Sequence, residues 1–280
     1  MNNSQWNNAR RPTDASGKQY HIQCAQGQVA RYVLLPGDPK RVSKIAEMWD
    51  EYELIADSRE HITYTGKLGD MPISACSTGV GGGSTSDAIE DLAEIGSDTF
   101  IRIGTCGAMQ ENIKNGDLII CTGAVRRDGT SDDYVTNSYP AAANYEVTLA
   151  LIEAAERLGY SYHVGIGYTS ASFFSGQGRE GRRGYTQSHQ RTILSDMQAA
   201  GVLNFEMEAA TLFTIAGLYS LRAGAIFTVV ANRVDDSFEY TAESVRRNIE
   251  VANLAMTILW DWEKRAKAAG KQRFFPGLIK

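Results

Sequence analysis

An arginine enclosed by apolar residues is costly unless its charge finds a partner. The run Thr99-Phe100-Ile101-Arg102-Ile103 contains one, so Arg102 predicts an anion, either a bound one or a buried Asp or Glu. Gly104-Thr105-Cys106-Gly107 follows at once, bringing flexible backbone and a hydroxyl to the same place, and Arg102 with Thr105 reads as a phosphate clamp. Arg233 repeats the theme by ending the apolar run Ile226 to Asn232. In Pro36-Gly37-Asp38-Pro39-Lys40-Arg41, Asp38 suits a helix N-cap, Pro39 suits the first turn, and Gly37 lets backbone approach a ligand. Lys40 and Arg41 then oppose the helix macrodipole at a cost of roughly 0.3–1 kcal/mol unless an anion sits there. A solvated surface helix start is the plainer alternative. Glu206-Met207-Glu208 precedes the apolar stretch Ala209 to Ala216; the acids either favour a helix N-terminus or offer a carboxylate to sugar hydroxyls.

Other chemistries lack their residues. Gly79-Val80-Gly81-Gly82-Gly83-Ser84-Thr85-Ser86 joins a strand to a helix, but no G-K-[ST] follows for a P-loop. A dinucleotide fingerprint is also wanting, since the unit is not the first strand and no apt acidic ribose partner is present. What remains is a tight turn at the carboxyl end of a strand, with Ser84 or Ser86 free to cap the helix. His21, His61, His163 and His189 show no H-E-x-x-H spacing, and no G-x-S-x-G elbow occurs. Cys24, Cys76, Cys106 and Cys121 form no C-x-x-C pair, which argues against a zinc site or disulfide framework and for reduced thiols packed as small hydrophobes.

These residues need a scaffold, and the hydrophobic pattern supplies one. Short β-branched runs (Tyr32 to Leu35, Ile73 to Thr78, Thr99 to Ile103, Leu118 to Val125, Tyr162 to Tyr168, Ala225 to Ala231) alternate with helical periods. The helical segments are Pro39 to Trp49, Ser84 to Ile95, Tyr145 to Leu158, Glu206 to Leu221 and Ala242 to Arg265. The pattern predicts an α/β fold, a twisted, mixed central β-sheet flanked by helices. Ser172 to Gln190 and Val234 to Tyr240 read as loops of the kind that contact ligands. With 43% hydrophobic and 22% charged residues over 280 positions, one large domain over residues 21–280 can bury its own core. The polar first twenty residues read as a mobile arm. They carry no apolar signal segment, and no run of eighteen apolar residues occurs, so a soluble, cytoplasmic protein without membrane partners is expected. A net charge of -5 and a pI near 5.5 speak against nucleic acid.

Taken in order, Leu35-Pro36-Gly37-Asp38-Pro39-x-Arg41, Ser77-Thr78-Gly79-x-Gly81, Arg102-Ile103-Gly104-Thr105, Gly176-Gln177-x-Arg179, Asn204-Phe205-Glu206-Met207-Glu208 and Asn232-Arg233 resemble the uridine phosphorylase family. The likeness runs from about His21 to the final helix. It implies a single-domain three-layer sandwich that cleaves a pyrimidine nucleoside with inorganic phosphate as co-substrate and no organic cofactor. By the same resemblance, phosphate is held by Gly37, Arg41, Arg102 and Thr105 with Arg59 from a neighbouring subunit. The ribose meets the neighbour's His21 together with Thr105, Met207 and Glu208. Gln177 and Arg179 read the base and Phe173 packs on it, with Glu206, Asn232 and Arg233 supporting that end. Catalysis thus rests on Arg102, Gln177, Arg179 and Arg233. A monovalent cation, K+, is implied at a dimer interface near Glu60, the Val80 backbone and Ser84, and the assembly is at least a dimer, with a hexamer as the family's pattern.

Purine phosphorylases of this superfamily place a Ser-Asp pair where Asn232-Arg233 stands, so the expected substrate is uridine, with deoxyuridine and thymidine open. A pyrimidine leaving group spreads negative charge towards its carbonyl oxygens, which suits Gln177 and Arg179 as donors. A purine phosphorylase or nucleosidase on the same fold is the alternative, and a catalytically silent nucleoside-binding protein is another. Gly83 stands where the family commonly has Pro, Cys106 where Thr is frequent, and the loop after Arg179 departs in composition.

Overall fold

In the structure, a computed structural model describing residues 6–279, the first strand β1 (Tyr32–Pro36) is buried along its whole length. Such a strand must be apolar on both faces. Tyr32 and Leu34 enter one core, while Val33 and Leu35 enter the other. The chain continues through α1 (Lys40–Ala46), the hairpin β2 (Glu51–Ser58) and β3 (His61–Leu68), then β4 (Met71–Cys76) and α2 (Gly82–Glu94). Next come β5 (Thr99–Ala108), β6 (Leu118–Arg127), α3 (Thr130–Tyr134), β7 (Ala141–Ala142), α4 (Tyr145–Leu158) and β8 (Tyr162–Ser170). Three short 3-10 turns between Ser175 and Gln190 lead to α5 (Ile193–Ala199) and β9 (Asn204–Glu206). The chain closes with α6 (Ala209–Leu218), β10 (Arg222–Asn232), β11 (Ser237–Phe238) and the long α7 (Ala242–Ala268).

The expected mixed sheet covered by helices is present. One core packs α1, α4 and α7 against the sheet, and the other packs α2 and α6, so the layers are helix, sheet, helix. Local chemistry agrees: Asn144 caps α4 by accepting the N–H groups of Glu146 and Val147, Gly159 ends that helix in the left-handed conformation, and Thr241 caps α7. Among the described residues no helix is long and apolar enough to cross a membrane.

Four features differ from the expectation. First, β5 pairs with both β10 and β9, and β10, β6, β8 and β9 pair in turn. These five strands therefore close into a ring. Register shifts beside Thr122 and Val230 add an extra residue at each place, and bulges of this kind increase local twist. Second, Gly104 to Gly107 is not a turn but the second half of β5, paired with Phe227 to Ala231. Gly104 is needed for packing, because a Cβ there would stand 2.6 Å from the Phe227 ring. Third, the segment expected as a helix from Glu206 begins as a strand, with Phe205 paired to Gly107 and to Tyr168, and the helix starts only at Ala209. The hairpin of β2 and β3 was not foreseen; β2 is mostly exposed and gives no buried alternation.

Of the twenty residues read as an arm, the first five lie outside the described residues. Trp6 bridges Asp14 and Thr13 bridges Gln19. Arg11 reaches Glu94 on α2 at 2.8 Å.

Candidate active site

A cleft of about 700 Å³ opens where β1, β4, β9 and β10 end and β5 passes. Gly37, Arg41, Glu60, Val80, Arg102, Thr105, Phe173, Gln177, Arg179, Glu206, Met207, Glu208, Asn232 and Arg233 all line it. The sequence scatters these residues over nearly two hundred positions, and the parallel pairing of β1, β5 and β10 gathers them.

At one end stands Arg102, only 5% exposed. Its Nη2 donates to Glu208, its Nε stands 3.4 Å from a Glu206 oxygen, and both Nε and Nη1 are buried without a hydrogen-bond partner. Both readings of Arg102 are thus partly realised: acids balance the charge, yet donors are left over. The Arg41 Nε is likewise buried and unpartnered. A Cβ added to Gly37 would lie 3.8 Å from the Arg102 fork, so the bare backbone there brings the β1–α1 turn onto the guanidinium. Asp38 Oδ1 accepts the Lys40 N–H at 2.9 Å, one position ahead of the assigned cap Pro39. Thr105 is half-buried beside Arg102. Unused buried guanidinium donors from two elements, with open backbone and a hydroxyl, suit a tetrahedral oxyanion.

Between the ends lie the acids. Glu208 accepts from Arg102 with one oxygen and from the Gly81 N–H at 2.6 Å with the other. That contact requires the turn after β4 to come close. Gly79 permits it, with φ of +71° and a place where a Cβ would meet Ser84 Oγ at 2.6 Å. Glu206 is held by the first N–H groups of α6, accepting from Glu208 at 2.9 Å and Ala209 at 2.9 and 3.1 Å. The helix-start reading of the acids therefore holds for Glu206, and the Glu208 carboxylate lines the cleft.

The other end carries Gln177, buried, whose Nε2 donates to Ser170 Oγ at 3.1 Å. Its side-chain oxygen accepts from Arg179 and its backbone carbonyl accepts from Arg233 at 3.1 Å. Arg179 also donates to the Phe173 carbonyl at 2.8 Å and lies over the Phe173 ring at 3.9 Å. Burial and the nearby Arg233 pull the Arg179 pKa down to about 10, which leaves it charged at neutral pH. Burial also lowers Arg233, against the opposing pull of Asp236. Two guanidiniums here are held only by neutral oxygens, an arrangement that favours a group developing negative charge. The Asn232 side chain is engaged with backbone: it donates to the carbonyls of Gln110 and Ile113 and accepts from Val234, fixing the chain as it leaves β10.

Three expected residues, His21, Arg59 and Ser84, do not line the cleft of their own chain. Arg59 donates to Tyr20 Oη at 3.0 Å and covers that ring, and the Tyr20 ring meets His21 edge-on. His21 and Arg59 thus share one patch of surface, with His21 3.3 Å from Asp91. Ser84 lies behind the cleft, 3.0 Å from Glu60 Oε1, while Val80 is 75% exposed. Among the described residues no group of three or more His, Cys, Asp or Glu is placed to hold a metal. All four cysteines are buried and unpaired.

Sequence reasoning missed Thr169 and Ser170, which support Glu206 and Gln177, whereas the rim formed by Asp236, Ser237 and Phe238 falls within Val234 to Tyr240, read as a ligand-contacting loop. The rule that ligands gather at strand ends pointed to the former pair, since both close β8.

Residues 31–259 match the family model described as the phosphorylase superfamily. The chain is 54% identical to the uridine phosphorylase of Thermococcus kodakarensis, with 96% of this chain and 97% of that protein covered. It is 42% identical to the uridine phosphorylase of Escherichia coli, over 79% and 87% of the two chains. A guanosine phosphorylase of Halorubrum lacusprofundi is 36% identical, over 86% and 99%.

Proposed function

Since the chain belongs to the phosphorylase superfamily, we propose that it is a uridine phosphorylase, which splits uridine with inorganic phosphate into uracil and ribose 1-phosphate. The observation that carries the phosphate half is the buried Arg102 with unpartnered donors beside the unpartnered Arg41 Nε. Support for the pyrimidine half comes from Gln177 and the two arginines it ties together, and from the resemblance to uridine phosphorylases over nearly the whole chain. The guanosine phosphorylase relative keeps a purine reading in view, but it matches at lower identity.

Phosphate sits between Gly37, Arg41, Arg102 and Thr105, beneath the sugar. Fixing it there makes attack on the anomeric carbon effectively intramolecular, so the enzyme needs no nucleophile of its own. Met207, Glu208 and Thr105 hold the sugar. As the glycosidic bond lengthens, the ring gains oxocarbenium character that the phosphate offsets, and the base leaves with negative charge that Arg179 and Gln177 stabilise. Phe173 at the rim covers the base, and Arg233 keeps the Gln177 segment in place. Thymidine and deoxyuridine remain within reach of the same pocket.

The patch holding His21 and Arg59 is exposed to a neighbour, and a second copy of the chain would bring both to the cleft as further sugar and phosphate ligands. The functional unit is then at least a dimer, and a hexamer would follow from repeating it. Glu60, the Val80 carbonyl and Ser84 offer hard oxygen donors for K+ at that interface; the hydrogen bond between Glu60 and Ser84 supports the grouping. The four unpaired cysteines suit a reducing cytoplasm.

The test is ultraviolet detection of free base from uridine, thymidine and inosine, each with and without phosphate. Phosphate-dependent uracil release is the expected result. Cleavage of inosine alone would make the enzyme a purine phosphorylase, cleavage without phosphate a nucleosidase, and no cleavage a silent binder.

A further inference from the structure

Glu206 is a buried carboxylate for which the reaction above has no chemical task. It is 3% exposed, and its oxygens are engaged by the protein. One accepts the Thr169 hydroxyl and the Ala209 N–H at 3.1 Å; the other accepts the N–H groups of Glu208 and Ala209, both at 2.9 Å, and stands 3.4 Å from Arg102 Nε. A carboxylate has about four acceptor sites, so these contacts leave little capacity for a base. Thr169, completely buried, is bound twice: its Oγ1 donates to Glu206 and accepts the Ala210 N–H at 2.9 Å. Glu206 thereby joins the end of β8, the start of α6, the backbone of Glu208 and the Arg102 guanidinium. Burial raises its pKa above the ordinary carboxylate value, with Arg102 and the Thr169 hydrogen bond opposing the rise.

We infer that Thr169 and Glu206 are positioning residues, which aim Arg102 and Glu208 at the phosphate and sugar without touching either substrate. This rests on the phosphorolysis reading for the identity of those ligands, and it replaces the support of the base end that the family resemblance implied for Glu206. The geometric reason is the division of Arg102: Nε faces Glu206, Nη2 is bound to Glu208, and Nη1 is left for the ligand. With Glu206 neutralised, the fork keeps its charge and its bond to Glu208 but loses one of the two ion pairs that set its rotation. A forked donor misplaced by a fraction of an ångström forfeits bidentate recognition.

The experiment compares wild type with Glu206→Gln and Thr169→Val in two measurements. Calorimetric binding of inorganic phosphate to the nucleoside-free enzyme needs no turnover, and steady-state kinetics give KM for phosphate and kcat/KM for uridine and thymidine. Glu206→Gln is expected to weaken phosphate binding about 10- to 100-fold, as loss of an outer partner of a ligating group does. The phosphate KM should rise in parallel, and the uridine to thymidine ratio should stay constant. Thr169→Val should shift phosphate binding the same way by roughly 2- to 10-fold, with Thr169→Ser restoring it; this pair decides the matter should Glu206→Gln fail to fold. Unchanged phosphate affinity in the variants, or a changed uridine to thymidine ratio, would overturn the inference. A wild type that binds phosphate but releases no base would refute phosphorolysis and leave the positioning role standing, whereas a wild type that binds no phosphate would overturn the role itself.

Discussion

Arg102 on β5 and Arg126 on β6 are buried to the same degree, each 5% exposed, and lie two strands apart, with β10 between them. Their surroundings are opposite. Arg126 Nε donates to Ser131 Oγ at 3.0 Å, its Nη1 to the carbonyls of Thr136 and Tyr139 at 2.7 Å, and its Nη2 to those of Ser131 and Val135 and to Asp132. It sews the segment after α3 to the sheet and leaves no donor over. Arg102 meets two carboxylates and keeps two nitrogens unpartnered. Burial of an arginine is therefore a poor guide to function. Unused hydrogen-bonding capacity facing a cleft is the better one, because a satisfied guanidinium has nothing left to offer a ligand.

The comparison is sharpened most by Arg102→Ala. Loss of a well-placed donor typically lowers rate by roughly 10²–10³, and kinetics at varied phosphate should show the loss as a steeply raised phosphate requirement; an unchanged requirement would remove Arg102 from the phosphate site. Arg126→Ala should do the reverse. It strands several buried carbonyls, and a cost of about 3 kcal/mol or more would lower Tm by roughly 6–12 °C in a thermal melt, while the folded enzyme keeps its phosphate KM. Abolished phosphate binding in a well-folded Arg126→Ala would collapse the distinction.

Gln177→Ala tests the third kind of arginine, half-buried and held by neutral oxygens. Freed of its tie, Arg179 should lose about 10- to 100-fold in kcat/KM for uridine with the phosphate KM little changed. Equal losses in both constants would count against base recognition. The smallest effect is expected from Gly83→Ala in the first turn of α2, where an added Cβ meets nothing within 4 Å. Reduced unfolded-state freedom should raise stability by roughly 0.4–1 kcal/mol, read as a slightly higher Tm at unchanged kinetics.

Much of the cleft was legible in the chain. Gly37, Arg41, Arg102 and Arg233 stood out as charge or glycine in unusual places, Thr105 as a hydroxyl close to Arg102, and Gln177 and Arg179 through the family resemblance; all line one cavity. Arg126 shows the limit of that reading: it also ends an apolar run, Leu118 to Val125, and its role depends on carbonyls that only folding brings near. Thr169 gave only the sign of its place at a strand end, since a threonine in a strand is ordinary. Its importance comes from a partner 37 positions away. The helix expected from Glu206 failed for a related reason: three residues pair between β5 and β8 before α6 begins, and tertiary pairing overrides local propensity.

By itself the sequence determined the layers, because the hydrophobic periods of strands and helices are written locally, and it determined which charges had to be neutralised, because burial follows from apolar neighbours. Only the tertiary structure decided how each charge was met. Ring closure by β9, the engagement of Glu206 with α6 and the saturation of Arg126 by carbonyls are long-range pairings. Hydrogen bonds are directional and short, and whether a donor is satisfied or left for a ligand depends on atoms that distant parts of the chain deliver.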